Sequence, residues 1–254
     1  MSLALLSDLH NADPAPVIAS LHSHRPDLIA ITGDVLYGGR PEDDRSPLET
    51  QSNVLPFLRS CATIAPTFLS LGNHEWMVDD TDIKEIKRTG VTVLDNEWMA
   101  KDGLVIAGLT SGYVTDYRAF RSTQPAEPRY PRREDLYGIG GATRAAAHKP
   151  DMDWLSDFAA QPGFKLLLSH HPEYYPLIPT SVDLILSGHA HGGQIRMYNP
   201  FKREWIGTWS PGQSWWPRYT KGVYEGKLVV SAGLSNTTWV PRLFNPTEVV
   251  YLEP

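Results

Sequence analysis

Aspartate, histidine and asparagine recur in this chain at the ends of short apolar runs, in combinations that can bind metal ions. Asp8 and His10, one residue apart, follow the run 3–6, and Asp34 follows Gly33 after the run 28–31. Gly72-Asn73-His74-Glu75 closes the run 67–71. Ser169-His170-His171-Pro172 ends 165–168, and Gly188-His189-Ala190-His191 ends 182–186. Side chains two residues apart in extended backbone point to the same side, so Asp8 with His10, and His189 with His191, can each aim at one point. Carboxylate, imidazole and amide donors without thiolates suit divalent Mn, Fe or Zn. Asp8, His10, Asp34, Asn73, His170, His189 and His191 are too many donors for one ion and suit two sharing a carboxylate. A lone Asp or His in a loop is ordinarily a cap or a solvated side chain. Repetition at successive strand ends is what points to a site.

Such donors need a frame that brings several strand ends together, and an α/β fold does so at the carboxyl edge of its sheets. The apolar runs above read as buried strands, separated by stretches of helical spacing at 14–23, 48–60 (interrupted or bent near Pro56), 79–88, 143–147 and 152–160. Further β signals lie at 91–94, 97–100, 104–109, 194–198, 228–231 and 248–252, with Lys101-Asp102-Gly103 as a hairpin turn. Residues 112–141 read as one long loop carrying Arg118, Arg121, Arg129, Arg132 and Arg133. They are either solvated surface or a lid that clamps a diphosphate. Residues 199–219 form an arm rich in tryptophan, with Trp205, Trp209, Trp215 and Trp216. Its indoles either pack on their own sheet or make an apolar platform beside the metals, for a lipid tail, a nucleobase or a membrane interface. No repeat or linker divides the chain, so 1–254 is expected to be a single domain.

The chain has 254 residues, 41% hydrophobic and 20% charged, the composition of an ordinary globular protein. Its net charge of -6 offers no basic excess for nucleic-acid backbones, so general nucleic-acid binding is not expected. A small phosphorylated substrate held through metals is compatible with that charge, lipid-linked or nucleotide-diphosphate substrates included. One cysteine, Cys61, excludes an intrachain disulfide and fits a reducing compartment. No run reaches the length of about 18 apolar residues that spans a bilayer. Met1 leads into the first strand with no leader pattern. The expected location is cytoplasmic, with peripheral membrane contact left open by the aromatic arm.

Taken in order, Asp8-Leu9-His10, Gly33-Asp34-Val35, Gly72-Asn73-His74-Glu75, Ser169-His170-His171-Pro172 and Gly188-His189-Ala190-His191-Gly192-Gly193-Gln194 resemble the calcineurin-like metallophosphoesterase superfamily. The ending, from Tyr219-Thr220-Lys221-Gly222 through Pro241-Arg242-Leu243-Phe244-Asn245-Pro246-Thr247-Glu248, is similar to a bacterial branch. That branch includes envelope phosphodiesterases and UDP-2,3-diacylglucosamine pyrophosphatase-like enzymes. Its members often carry an N-terminal membrane anchor, whereas this sequence opens on its first strand. The resemblance implies a four-layer α/β/β/α sandwich with a dinuclear metal site at the carboxyl ends of the strands. By motif position Asp8, His10, Asp34 and His191 would hold one ion. Asp34 would bridge, and Asn73, His170 and His189 would complete the other. The implied reaction is hydrolysis of a phosphodiester or pyrophosphate by in-line attack of a metal-bridging hydroxide. His74, beside Asn73, would contact the phosphate and assist the leaving oxygen. Glu75 reads as an orienting carboxylate or a first-turn residue, and His171 as turned away from the ions. His22, His24 and His148 read as surface. The alternative from another class, a non-catalytic scaffold on the same fold, typically lacks ligands or the catalytic histidine. Both are complete here.

Overall fold

The computed structural model describes residues 1–38, 46–114, 149–201, 203–210, 216–237 and 240–253. Most of the loop expected at 112–141 with its arginines, the helix expected at 143–147, His148 and Trp215 lie outside those residues. Among the described residues the strands are β1 (Leu3–Leu6), β2 (Leu28–Ile31), β3 (Thr67–Ser70), β4 (Thr92–Leu94), β5 (Glu97–Lys101), β6 (Leu104–Leu109), β7 (Phe164–Ser169) and β8 (Leu184–Ser187). They continue with β9 (Arg196–Asn199), β10 (Glu204–Gly207), β11 (Gly222–Tyr224), β12 (Leu228–Val230) and β13 (Val250–Leu252). Helices α1 (Ala15–His24), α2 (Pro47–Thr50), α3 (Val54–Ile64), α4 (Asp80–Arg88) and α5 (Leu155–Ala159) connect them.

The strands form two large sheets, ordered β13-β1-β2-β3-β4 and β11-β12-β8-β7-β6-β5, plus a β9–β10 hairpin. In the first sheet β1 to β4 are parallel, and in the second β6, β7, β8 and β12 are. Parallel sheets need cover on both faces, and the alternation within each strand shows how it is provided. Leu3 and Leu5 of β1 face inward and meet Leu166 and Leu168 of β7 in a layer between the sheets, with Leu28, Ala30, Ile106, Leu186 and Val229. Ala4 and Leu6 face outward, against Leu21 of α1 and Phe57 and Leu58 of α3. Leu167 and Ile185 face the opposite way, onto Leu155 and Phe158 of α5. The layers are therefore helix, sheet, sheet, helix, as the resemblance implied.

Local chemistry explains most boundaries. Val54, Phe57, Leu58 and Cys61 of α3 are buried at helical spacing. Asp79 caps α4 by accepting from the amides of Thr81 and Asp82. Asp102 and Gly103 both take positive φ in the β5–β6 turn, as a two-residue hairpin of this twist demands. The stretch 48–60, expected as a helix interrupted or bent near Pro56, is two helices, α2 and α3, parted at 51–53 rather than at the proline. Pro56 falls in the first turn of α3, where it breaks no hydrogen bond, so it does not bend the helix. Strands β10 and β11 were not anticipated at these positions, because each has only three or four residues with a glycine at one end, too short to show an alternation.

Leu168 is fully buried between the sheets. Leu168→Ala is expected to cost about 2–5 kcal/mol of stability, read as a lower urea midpoint.

Candidate metal centre

Five loops that leave parallel strands carry the expected donors to one place. The first sheet supplies Asp8 and His10 after β1, Asp34 after β2 and Asn73 in the 3-10 turn after β3. The second supplies His170 after β7, with His189 and His191 after β8. Backbone and side-chain bonds tie the loops together. His10 N donates to the Asp34 carbonyl at 3.0 Å, and Gly188 N to that of His170 at 3.0 Å. His189 N donates across the sheets to Asp8 Oδ2 at 3.2 Å. A side chain at Gly188 would place its Cβ 1.8 Å from Ser7 Oγ, so this crossing is possible only with glycine.

Asp34 is central. Its Oδ2 lies 3.0 Å from His170 Nε2, 3.8 Å from His10 Nε2 and 3.8 Å from His74 Nε2. Asp8 Oδ1 lies 3.7 Å from His10 Nε2 and 3.4 Å from His191 Nε2. Among the described residues four groups have donor atoms within 4.8 Å of one another: Asp8, His10 and His191; His10, Asp34 and His74; Asp34, His170 and His189; and His171, Glu173 and His189. The donors fit cations for a definite reason. Asp8 Oδ1, His10 Nε2, Asn73 Oδ1, His170 Nε2 and His189 Nε2 are buried without a hydrogen-bond partner. Leaving so many polar atoms unpaired costs about 1–3 kcal/mol each unless a cation satisfies them. The outer nitrogens agree for two rings: His170 Nδ1 lies 2.7 Å from the Thr32 carbonyl and His10 Nδ1 3.1 Å from that of Leu36. Both must donate there, which turns the Nε2 lone pairs inward.

Backbone strain concentrates at the same residues. Asp8, His10, Asp34, His189 and His191 adopt φ of 58, 48, 53, 63 and 46°. Left-handed backbone at non-glycine residues costs on the order of 1 kcal/mol each and persists where function requires it.

Burial pushes the carboxyls of Asp8 and Asp34 up, but His191 and His10 beside the first, and His170 and His74 beside the second, outweigh it. Both stay ionised. Burial opposes the charge on His170 too, and the Asp34 carboxylate outweighs that, raising it to about 10. His10 is likewise raised by Asp8 and Asp34 against burial. Burial lowers His74, His189 and His191, which are therefore neutral at pH 7. His74 Nδ1 accepts the Gly38 amide at 2.6 Å, so its single proton sits on Nε2, facing the Asp34 side. A Cβ at Gly38 would come 2.5 Å from that Nδ1.

Glu75 lies in the first turn of the 3-10 helix 73–77 and caps its start through Gly72, as the first-turn reading expects, and its carboxylate holds backbone amides rather than an imidazole. Its two oxygens accept from the amides of Asp34 at 2.8 Å, Gly72 at 2.8 Å and Leu36 at 3.1 Å. Burial pushes the carboxyl up to about 7, with Asp34 adding to the push, while these three donors favour the anion. His171, expected to turn away, stays beside the centre: its Nε2 lies 2.8 Å from Ser111 Oγ, and with Glu173 and His189 it forms a further group of donors within 4.8 Å of one another. Its Nδ1 lies 3.2 Å from Glu173 Oε1, which also stands 3.7 Å from His189 Nε2. Glu173, Gly38 and Arg242 were missed. The only signal for Glu173 was its place just past the paired histidines. His22 and His24 are exposed, as expected.

With the geometry in hand, residues 1–193 match the family described as calcineurin-like phosphoesterase. The chain belongs to that family. It is 26% identical to an uncharacterized metallophosphoesterase of Campylobacter jejuni, covering 99% of this chain and 58% of that protein. It is 28% identical to the phosphodiesterase YaeI of Escherichia coli K12, over 77% of this chain and 62% of that one. The chain thus spans little more than half the length of these relatives. Among solved structures, a metallophosphoesterase from Sphaerobacter thermophilus aligns with 100% of this chain and 84% of its own, at 16% identity and a TM-score of 0.39.

Two outcomes are expected. Because His170 and His10 must shed protons to ligate, metal uptake should release protons and tighten as pH rises from about 6 to 9. Calorimetry in buffers of different ionisation enthalpy measures this. Glu173→Gln should weaken metal binding about 10–100-fold, because it removes the negative charge facing His189.

Proposed function

We propose that the chain is a hydrolase of phosphodiester or pyrophosphate bonds, working with two divalent ions of Mn, Fe or Zn. The observation that carries this reading is the pair of donor groups joined around Asp34, with Asp8, His10 and His191 on one side and His170, His189 and Asn73 on the other. When bound, such ions generate a nucleophile at neutral pH and spread the charge that develops on phosphorus.

The chain's own residues do the rest. Asp34, with its Oδ1 accepting from the His74 amide at 2.8 Å, is held where Oδ2 faces both groups. His74 is neutral, with its proton on Nε2 and its ring partly open to solvent. It can therefore donate to a leaving oxygen as the P–O bond breaks. The Gly38 amide sets that tautomer. A proton donor placed for the leaving group favours diesters and diphosphates, whose leaving groups need one. We read residues 1–254 as acting in one piece on a small phosphorylated substrate.

Cytoplasmic location, with peripheral contact to a membrane, belongs to the same reading. Its support is the single buried cysteine, Cys61, and the β9–β10 hairpin, where Phe201 is 96% and Trp205 49% exposed. Trp205 meets its cross-strand neighbour Tyr198 edge-on and Phe244 at a tilt while staying half exposed. No described helix is long and apolar enough to cross a membrane.

The test is hydrolysis of bis(p-nitrophenyl) phosphate and p-nitrophenyl phosphate by metal-stripped protein, with Mn²⁺, Zn²⁺, Fe²⁺ or Mg²⁺ restored singly. Metal-dependent turnover favouring the diester is expected, and absence of turnover with every ion would refute the reading. His74→Asn should keep metal binding and lose activity on the order of a hundredfold. Asp34→Asn should lose both. Gly38→Ala should lower turnover most for substrates with poor leaving groups.

A further inference from the structure

Among the imidazoles of the centre, His191 is the one whose outer nitrogen faces a strong donor. Arg242 Nη2 lies 3.0 Å from His191 Nδ1, and the same nitrogen donates to the Ser235 carbonyl at 2.5 Å. An arginine only donates and stays charged, so the contact uses the lone pair of Nδ1. The neutral ring then carries its one proton on Nε2, the nitrogen turned toward Asp8 Oδ1 at 3.4 Å. This is the reverse of His10 and His170, whose Nδ1 atoms meet carbonyls.

The rest of the guanidinium is already uncommitted. Arg242 Nε and Nη1 are buried with no hydrogen-bond partner. Among the described residues no carboxylate pairs with it, although Asp8 and Glu248 lie near enough to favour its charge. A cation with unused donors, next to the Asp8, His10 and His191 group, is matched in charge and shape to phosphoryl oxygens, which the planar fork can grip in pairs.

We infer that Arg242 is a substrate-binding residue that presents its unused donors to a phosphoryl oxygen beside the Asp8, His10 and His191 group. The inference deepens the reading of a metal-dependent phosphoesterase and rests on it. Arg242 then serves the substrate rather than the metal, so removing it should not loosen the metal.

The experiment is a pair of calorimetric titrations on wild type, Arg242→Gln and Arg242→Lys, with thermal melts to establish folding. Zn²⁺ is titrated first into metal-free protein, then inorganic phosphate into the Zn²⁺-loaded form. For Arg242→Gln the expected results are Zn²⁺ affinity equal to wild type and phosphate affinity weaker by about tenfold or more. Arg242→Lys, which keeps the charge and loses the fork, should fall between in phosphate affinity. Weaker Zn²⁺ binding in Arg242→Gln would mean that the arginine braces His191, and would overturn the inference. So would unchanged phosphate affinity. If the variants do not fold, the Arg242 Nε resonance of wild type decides: it should move on adding phosphate to the Zn²⁺-loaded form, and an unmoved signal sinks the idea. Should wild type bind Zn²⁺ and phosphate yet cleave no ester, the functional reading fails while these titrations still judge Arg242.

Discussion

The structure depends on keeping two carboxylates ionised in a buried place with few donors. Asp8 and Asp34 face imidazoles and each other's ligands, and the backbone amides of His189 and His74 reach only one oxygen of each. An uncompensated buried charge is so expensive that a chain would normally neutralise it. Here protonated His170 and His10 supply the compensation, and divalent cations would take over that role as the two rings shed their protons to ligate. The left-handed backbone at the ligands, the glycine at 188 and the crossing of loops between sheets all serve that concentration of lone pairs.

Around it stands a layer of groups whose only task is direction. Glu75 ties the Asp34 loop to the loop after β3 through three amides, which fixes the Asp34 carboxylate relative to the Asn73-His74 pair. The carbonyls of Thr32 and Leu36 set the tautomers of His170 and His10, and the Gly38 amide sets the opposite tautomer in His74. A ring that must ligate and a ring that must donate a proton are thus distinguished by the kind of backbone group behind them.

Much of this was legible in the chain. Apolar runs of four to six residues, each ending in a polar group, located the parallel strands within a residue or two, because a strand covered on both faces leaves little ambiguity. The expected ligands converge, because the ends of parallel strands share one edge. What stayed hidden depends on contacts distant in sequence. Glu173, Gly38 and Arg242 act through bonds that span 16 to 51 positions or through a turn with no signature. Pro56 misled because its effect depends on where the helix begins, and Asn53 just before the helix carries no capping bond to announce it. The aromatic arm could not be decided from composition, since whether an indole is covered depends on the partner that its hairpin meets.

The donors are divided between the two sheets, with Asp8, His10, Asp34 and Asn73 on one and His170, His189 and His191 on the other. The centre therefore straddles the greasy seam where Leu3, Leu5, Leu166 and Leu168 mesh. Such a site works as a gauge of how the sheets are seated. A methyl group added or lost deep in that seam can slide one sheet against the other and spoil the ligand distances without touching any donor. Conversely, an ion gripped from both sides acts as a rivet, joining two halves of the polypeptide that neither half could join alone.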